Sequence, residues 1–428
     1  MKCNYACGTA EHLHARRRFL GSMATGSSIV VGGLGALTNP STAKQLETKQ
    51  KRMIVINMAG GLSQLESWDP KPGTNTGGPF RAIETSVPGV HISELLPYTA
   101  KQMHNMAIVR SINTHNGDHG KGTYMMLTGR RQTPAADFPR LGAVVAKGLD
   151  QHNSALPGHI HVGGGSGARN NDSAYLGPRY ASISLGSGTP PQNSARPKSV
   201  SEQSDATRNR LRRKVNSRFA QRRRTAKTDA YTQNYEQAIE LMAQRDVFDI
   251  SKESQKDRDR YGPHPFGHHL LLARRLVENG ITFVQVSHSN YDTHNENFNF
   301  HLEQLGEFDR PFATLIEDLA ASGLLEHTLV VVLSEFGRTP NINKYYGRDH
   351  WGNAWSICMS GAGLQRGAVI GKTNDNGTKV TDREVDAGHM FHTYLQALGL
   401  DSAGHFDIGG RPIPLADPAF GPISELMS

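Results

Sequence analysis

The sequence predicts an α/β fold with a mostly parallel central sheet and helices on both faces. Two observations carry this. Several short β-branched runs are continuously apolar rather than alternating, as strands covered on both faces must be, and each passes into a polar loop. Helical patterns ending at a glycine precede two of these runs, so the chain repeats the order helix, strand, loop.

Taken in order, residues 53–57 (MIVIN) form the first strand, which stops at Gly60-Gly61. Residues 106–110 (MAIVR) form the next, and residues 281–286 (ITFVQV) a third, with a helix over 270–278 before it and Gly280 in the stop position. Residues 328–333 (TLVVVL) are the clearest strand, following a helix over 308–321 that ends at Gly323. Residues 163–204, rich in Gly, Ser, Pro and Asn, read as a surface excursion. A charged helical arm follows over 205–250, so the whole insertion spans about 163–260.

At 428 residues and 37% hydrophobic content the chain can bury a large core. Its first 43 residues have another purpose. Arg16-Arg17-Arg18-Phe19-Leu20 precedes a weakly apolar, glycine-rich stretch to Leu37 and then Pro40-Ser41-Thr42-Ala43, the layout of a twin-arginine-type signal. The expectation is export to the periplasm or beyond, with residues 44–428 as a single domain. Cleavage there removes Cys3 and Cys7 and leaves Cys358 as the last thiol, so no disulfide forms within the mature chain. Outside the leader no apolar run reaches the roughly 18–20 residues of a membrane span.

The formal charge of +8 gathers in one segment, from Arg208 through Arg213, Lys214 and Arg218 to Arg224. Such a face attracts polyanions by counterion release. It lacks an interleaved series of aromatic stacking platforms, so it reads as a solvated arm and no specific nucleic acid is expected.

In a parallel sheet, ligands bind beyond the carboxyl ends of the strands. Four loops there carry titratable residues: Glu66 and Asp69 after the first strand, Asp118, His119 and Lys121 after the second, Asp292 and His294 after the third, and Glu335 after the fourth, with Asp349 and His350 a little later. Convergence of His119, Asp292, His294, Glu335 and His350 on one edge suits a divalent ion, Zn²⁺ or Mn²⁺ foremost, with Ca²⁺ or Mg²⁺ where fewer histidines ligate. Asp69-Pro70 is also explained as the start of a turn in the first loop.

The segments GGLSQLESWDPKP, THNGDHGKGTYMMLTGR, LLLARRLVENGITFVQV, YDTHNENF, LSEFGRTP and GRDHW resemble, in this order, the motifs of the bacterial family called domain of unknown function 1501, from about Met53 to the end. That family is similar in fold to the alkaline phosphatase and sulfatase superfamily, which implies a metal-centred ester-hydrolase site. Within the resemblance, Leu127-Thr128-Gly129-Arg130 matches the end of the sulfatase nucleophile helix, but His119 stands where the nucleophile belongs, with Thr123 and Thr114 as substitutes. Ser334-Glu335-Phe336-Gly337 takes the place of the superfamily's Asp-His-Gly metal motif. Asp292, His294 and His350 resemble its later metal ligands, while Asn57 replaces the first-strand aspartate. In the first loop Leu62, Gln64 and Glu66 stand where the family more usually has Pro, His and Asp. Residues 387–401 resemble its closing helix.

The resemblance implies an exported, metal-assisted hydrolase acting on a sulfate or phosphate ester, of a polysaccharide among other candidates. Asp292, His294, Glu335 and His350 would hold the metal, Arg338 and Lys121 would neutralise the oxyanion, and His119 would act as general acid or base. The alternative is a non-catalytic protein that keeps the fold and binds an anionic glycan.

Overall fold

The computed structural model describes residues 49–134, 136–150, 156–163, 172–186, 188–191, 194–223 and 226–427. Residues 1–43, the expected signal, with Cys3 and Cys7, lie outside the described residues. From Lys51 to Ser428 the chain forms one compact unit.

Eight strands build the central sheet: β1 (Arg52–Met58), β2 (Met106–Ile112), β3 (His159–Val162), β4 (Ile183–Leu185), β5 (Phe283–His288), β6 (Thr328–Leu333), β7 (Trp355–Ser360) and β8 (Val369–Ile370). Their spatial order is β8-β2-β7-β6-β1-β5-β3-β4. Pairings are parallel except those of β7, which runs against both β2 and β6. The α/β class expected from the continuous runs is therefore the observed one, with a single reversed strand.

The helices that matter below are α1 (His119–Thr128), α2 (Leu141–Gly148), α3 (Glu202–Arg223), α4 (Ala226–Ala243), α5 (Pro265–Glu278), α6 (Asn297–Ala321) and α7 (Ala387–Ala397). Alternate residues of each strand feed opposite cores. Ile54, Ile56, Val284, Val286, Val330 and Val332 pack with Leu270 of α5 and with Phe308, Phe312 and Leu315 of α6. Met53, Val55, Phe283, Leu329 and Val331 join Met125 of α1, Val144 of α2, and Phe391 and Tyr394 of α7 on the other face. Burial on both faces is why these strands carry no polar alternation.

Two helices begin earlier than the periodicity indicates. α5 starts at Pro265, a residue suited to the first helical position because it has no N–H to satisfy. α6 starts at Asn297 and includes Pro311, so what reads as a polar loop already contains helix. The insertion also departs from a pure excursion, since Ile183–Leu185 returns to the sheet as its edge strand β4. Beyond it, α3 and α4 form the arm, joined by the ion pairs of Arg212 and Arg213 with Glu236. Among the described residues no helix is long and apolar enough to cross a membrane.

Candidate metal centre at the carboxyl edge of the sheet

β1, β2, β5 and β6 all end at the same edge, and each delivers its following loop there. The reversal of β7 adds a fifth contribution: its beginning lies at that edge, so His350, five residues before Trp355, arrives with the loops. His350 and Trp351 pair antiparallel with Arg338 and Gly337, which fixes the imidazole beside the loop after β6.

Close backbone contact brings the loops together. At Gly60, where φ is +118°, a Cβ would stand 2.4 Å from the backbone N of Asp292. Only a residue without one fits. Asp118 caps α1 by accepting the N–H of Lys121 at 2.8 Å, which places His119 in the first turn.

Three donor atoms then meet. Asp292 Oδ1 lies 3.1 Å from His350 Nε2 and 3.2 Å from His294 Nε2, and the two Nε2 atoms are 2.9 Å apart. His119 Nε2 stands 3.3 Å from the other carboxylate oxygen of Asp292. The outer nitrogens have fixed partners. His350 Nδ1 donates to Gly117 O at 2.7 Å, His294 Nδ1 to Asp349 Oδ1 at 2.7 Å, and His119 Nδ1 to Glu335 Oε1 at 2.7 Å. A carbonyl and two carboxylates can only accept, so these bonds put the hydrogens on Nδ1 and turn each Nε2 lone pair inward. Two lone pairs facing across 2.9 Å repel unless a positive centre, a proton or a metal ion, lies between them. Donors about 3 Å apart, two imidazoles and a carboxylate, match neighbouring ligands on one ion bound at about 2.0–2.2 Å. The residues present therefore fit a divalent cation.

The electrostatics agree. Burial alone would raise the Asp292 carboxyl, but the hydrogen bond and positive charge of Arg338 oppose it, and the group is held at about 2. Asp292 is thus an anion throughout the neutral range. Phe336 packs its ring against His350 at 4.3 Å and His119 at 4.8 Å, giving the histidines an apolar wall where the resemblance puts a ligand.

Other expected site residues are placed differently. Glu335 is buried and faces His119, the backbone N–H of Gly60 at 2.9 Å and the Ser334 hydroxyl at 3.1 Å, so it orients an imidazole from behind. Arg338 is fully buried. Its guanidinium donates to Gly60 O, to Gly61 O and Arg348 O at 3.0 Å each, and to Asp292 Oδ1 at 2.6 Å, so it reaches an incoming ester only through Asp292. Lys121 is exposed and lines a cleft along α1 with Asn116 and Arg131. Thr114 is fully buried and Thr123 half-buried.

The first loop lies underneath. Gln64 spends its amide on the backbone of Arg338, accepting at 3.0 Å and donating at 2.8 Å. Glu66 receives a two-pronged bond from Arg348, at 3.0 and 2.8 Å, and Asp69 is held by Lys71 at 2.9 Å and Thr373 at 2.5 Å. Neither carboxylate faces the cluster. Asp349, named among the loop residues, was given no role from the sequence. Its place beside His350 in GRDHW was the available signal, but not that it would bind the ring of a histidine 55 positions earlier.

A family model described as "Protein of unknown function (DUF1501)" matches residues 50–427. The chain belongs to the DUF1501 family. Comparison of this DUF1501 sequence with curated proteins finds no match. Among solved structures it is similar to a protein in the alkaline phosphatase superfamily from Vibrio parahaemolyticus, with 11% identity and a TM-score of 0.38 over 82% of this chain and 67% of that one. The lipoteichoic acid synthase LtaP from Listeria monocytogenes gives 9% and 0.39 over 86% and 75%, and the PsFucS1 sulfatase from Pseudoalteromonas sp. gives 16% and 0.35 over 83% and 70%.

Proposed function

We propose that this DUF1501 protein is exported by way of residues 1–43 and hydrolyses a phosphate or sulfate ester with the help of a divalent cation. One observation carries the reading: Asp292 Oδ1, His294 Nε2 and His350 Nε2 form a triangle with edges of 2.9 to 3.2 Å, each imidazole turned inward by the partner of its Nδ1.

A cation held by these three would act as a Lewis acid towards the ester oxygen. The remaining work falls to the chain. Glu335 keeps the His119 hydrogen on Nδ1, so His119 Nε2 is free to take a proton from water as the water oxygen bonds to phosphorus or sulfur. The bond from phosphorus or sulfur to the ester oxygen breaks, and the same proton passes to the departing alkoxide. Lys121 and Arg131 along the α1 cleft provide positive charge for the anionic substrate, a small ester or one borne on a glycan. Arg338 fixes the Asp292 carboxylate and so positions the triangle.

The test is elemental analysis of the mature chain beside its His350→Ala and Asp292→Asn variants, together with turnover of an aryl phosphate and an aryl sulfate. Near-stoichiometric metal lost in both variants, with turnover lost alongside, is the expected result. A protein that never holds metal sinks the reading. A second reading has its own observation: Thr114, before α1, is fully buried and Thr123, within it, is half-buried, so both hydroxyls that could replace the missing nucleophile are withdrawn from the surface. On that reading the site binds an anionic glycan without turnover, and binding weakens steeply with salt.

A further inference from the structure

A second cluster of ligand-type side chains lies away from the loops that build the edge site. His159 and His161 stand two positions apart on β3, so their side chains share one face of the sheet. That face is the α2 side: His159 packs edge-on against Phe283 at 5.0 Å, and a Cβ at Gly142 of α2 would come within 2.2 Å of its Nε2, so a glycine there is what admits the ring. Asp172 completes the group. One ligand atom from each of His159, His161 and Asp172 lies within 4.8 Å of the others.

The cluster is incompletely bonded for its degree of burial. His159 and Asp172 are 2% and 3% exposed. His159 Nδ1 donates to Tyr180 O at 3.1 Å, leaving Nε2 without a hydrogen. The Asp172 carboxylate takes one backbone N–H, that of Ser182, shared between its oxygens at 3.3 and 3.2 Å. His161 makes no hydrogen bond to any described residue, and its ring contact is with His159. Neutral imidazole is the form that ligates, and a buried ring favours it. The positive charge facing the group is Arg140, against which a bound cation must compete.

We propose that His159, His161 and Asp172 form a second, structural site for a Zn²⁺-class divalent ion, with water in the fourth position. Two imidazoles and a carboxylate are borderline ligands of the kind such ions prefer. The site's position gives it a purpose. It ties β3, one strand in from the sheet's edge, to Asp172, ten residues beyond Val162, and through Ser182 to the start of β4. An ion there so fastens this side of the sheet, in the way that metal binding couples to folding. The inference is independent of turnover at the other site.

The experiment is a Zn²⁺ count on the chelator-stripped and reloaded full chain, made in the His350→Ala background so that the edge site does not contribute. The expected result is one equivalent, lost on adding either His161→Ala or Asp172→Asn, with the Zn²⁺-induced rise in Tm lost too. Asp172→Asn keeps an acceptor for Ser182 and guards against a variant that merely misfolds. A His350→Ala protein with no bound Zn²⁺, or one whose Zn²⁺ survives both added changes, overturns the proposal. If the parent protein also holds a single equivalent, and that one depends on His161, the edge-site reading fails while this one stands.

Discussion

Two layers at the same sheet edge contrast sharply. The outer layer, Asp292, His294, His350 and His119, is partly exposed, and its polar atoms are pointed at one another across about 3 Å. The layer beneath, Glu66, Gln64, Arg338 and Arg348, is wholly buried, and its polar atoms are pointed at protein partners. Arg348 alone reaches both oxygens of Glu66 and the carbonyls of Thr76, Thr339 and Pro340. Both layers are drawn from the same motifs, so motif membership does not separate chemistry from scaffold. What separates them is whether a group's bonding capacity is already used.

The sharpest break in that comparison is Arg348→Ala. It removes the counter-charge of the Glu66 carboxylate, which is fully buried and which Arg348 holds below its usual range against the opposing effect of burial, and leaves Asn297 as its side-chain donor at 2.9 Å. Removing one partner of a buried ion pair costs about 3–5 kcal/mol. Urea denaturation should show a loss of that size, and it should be the same with and without chelator. A loss under 1 kcal/mol would mean the lower layer is not the scaffold described. Next in size is His350→Ala in the outer layer. The stripped variant should unfold close to the stripped parent, while the parent gains about 2.7 kcal/mol at a hundredfold excess of metal over Kd and the variant gains little at this site. If both proteins respond equally to metal, the two layers do not differ in the way claimed.

Much of this was legible in the sequence. Residues 328–333 and 53–57 read as doubly covered strands because they are continuously apolar apart from Thr328 and Asn57 at their ends, and both are central in the sheet. The convergence of Asp292 and His294 with the loop after residues 328–333 followed from the rule that strand ends share an edge. The reversal of β7 did not, since WSICMS reads the same in either direction, and its direction is what brings His350 to that edge. Nor did the division of labour between Glu335 and His119. A carboxylate beside a candidate site looks like a ligand until the 2.7 Å bond to an imidazole nitrogen shows which way it faces. Arg338 looked like an oxyanion group for the same reason, and its burial is a tertiary fact that no local pattern encodes.

A smaller effect tests the joint between the layers. Gly60→Ala puts a Cβ 2.4 Å from the backbone of Asp292 at a φ of +118°, so the loop must shift. A cost on the order of 1–3 kcal/mol is expected, and weaker metal binding should accompany it because Asp292 moves with the loop. Loss of stability with unaltered metal affinity would show that the triangle does not depend on the first loop.

The smallest effect is one of pH, and it isolates the outer layer. In the folded protein Asp292 titrates at about 2, while an unfolded aspartate does so near 3.9. Between those values the unfolded chain binds more protons at this position, so the stability Asp292 contributes is fully present above about pH 4 and is lost as pH falls through 2. Its side chain is 48% exposed, so solvent screening keeps the contribution within about 1 kcal/mol. Denaturation of the chelator-treated parent and of Asp292→Asn across pH 2–5 should give curves that approach one another as the pH drops. Arg348→Ala, by contrast, should stay displaced until Glu66 itself is protonated. Parallel curves for Asp292→Asn would mean that Arg338 does not hold this carboxylate as an anion, and the argument for a cation beside it would lose its electrostatic half.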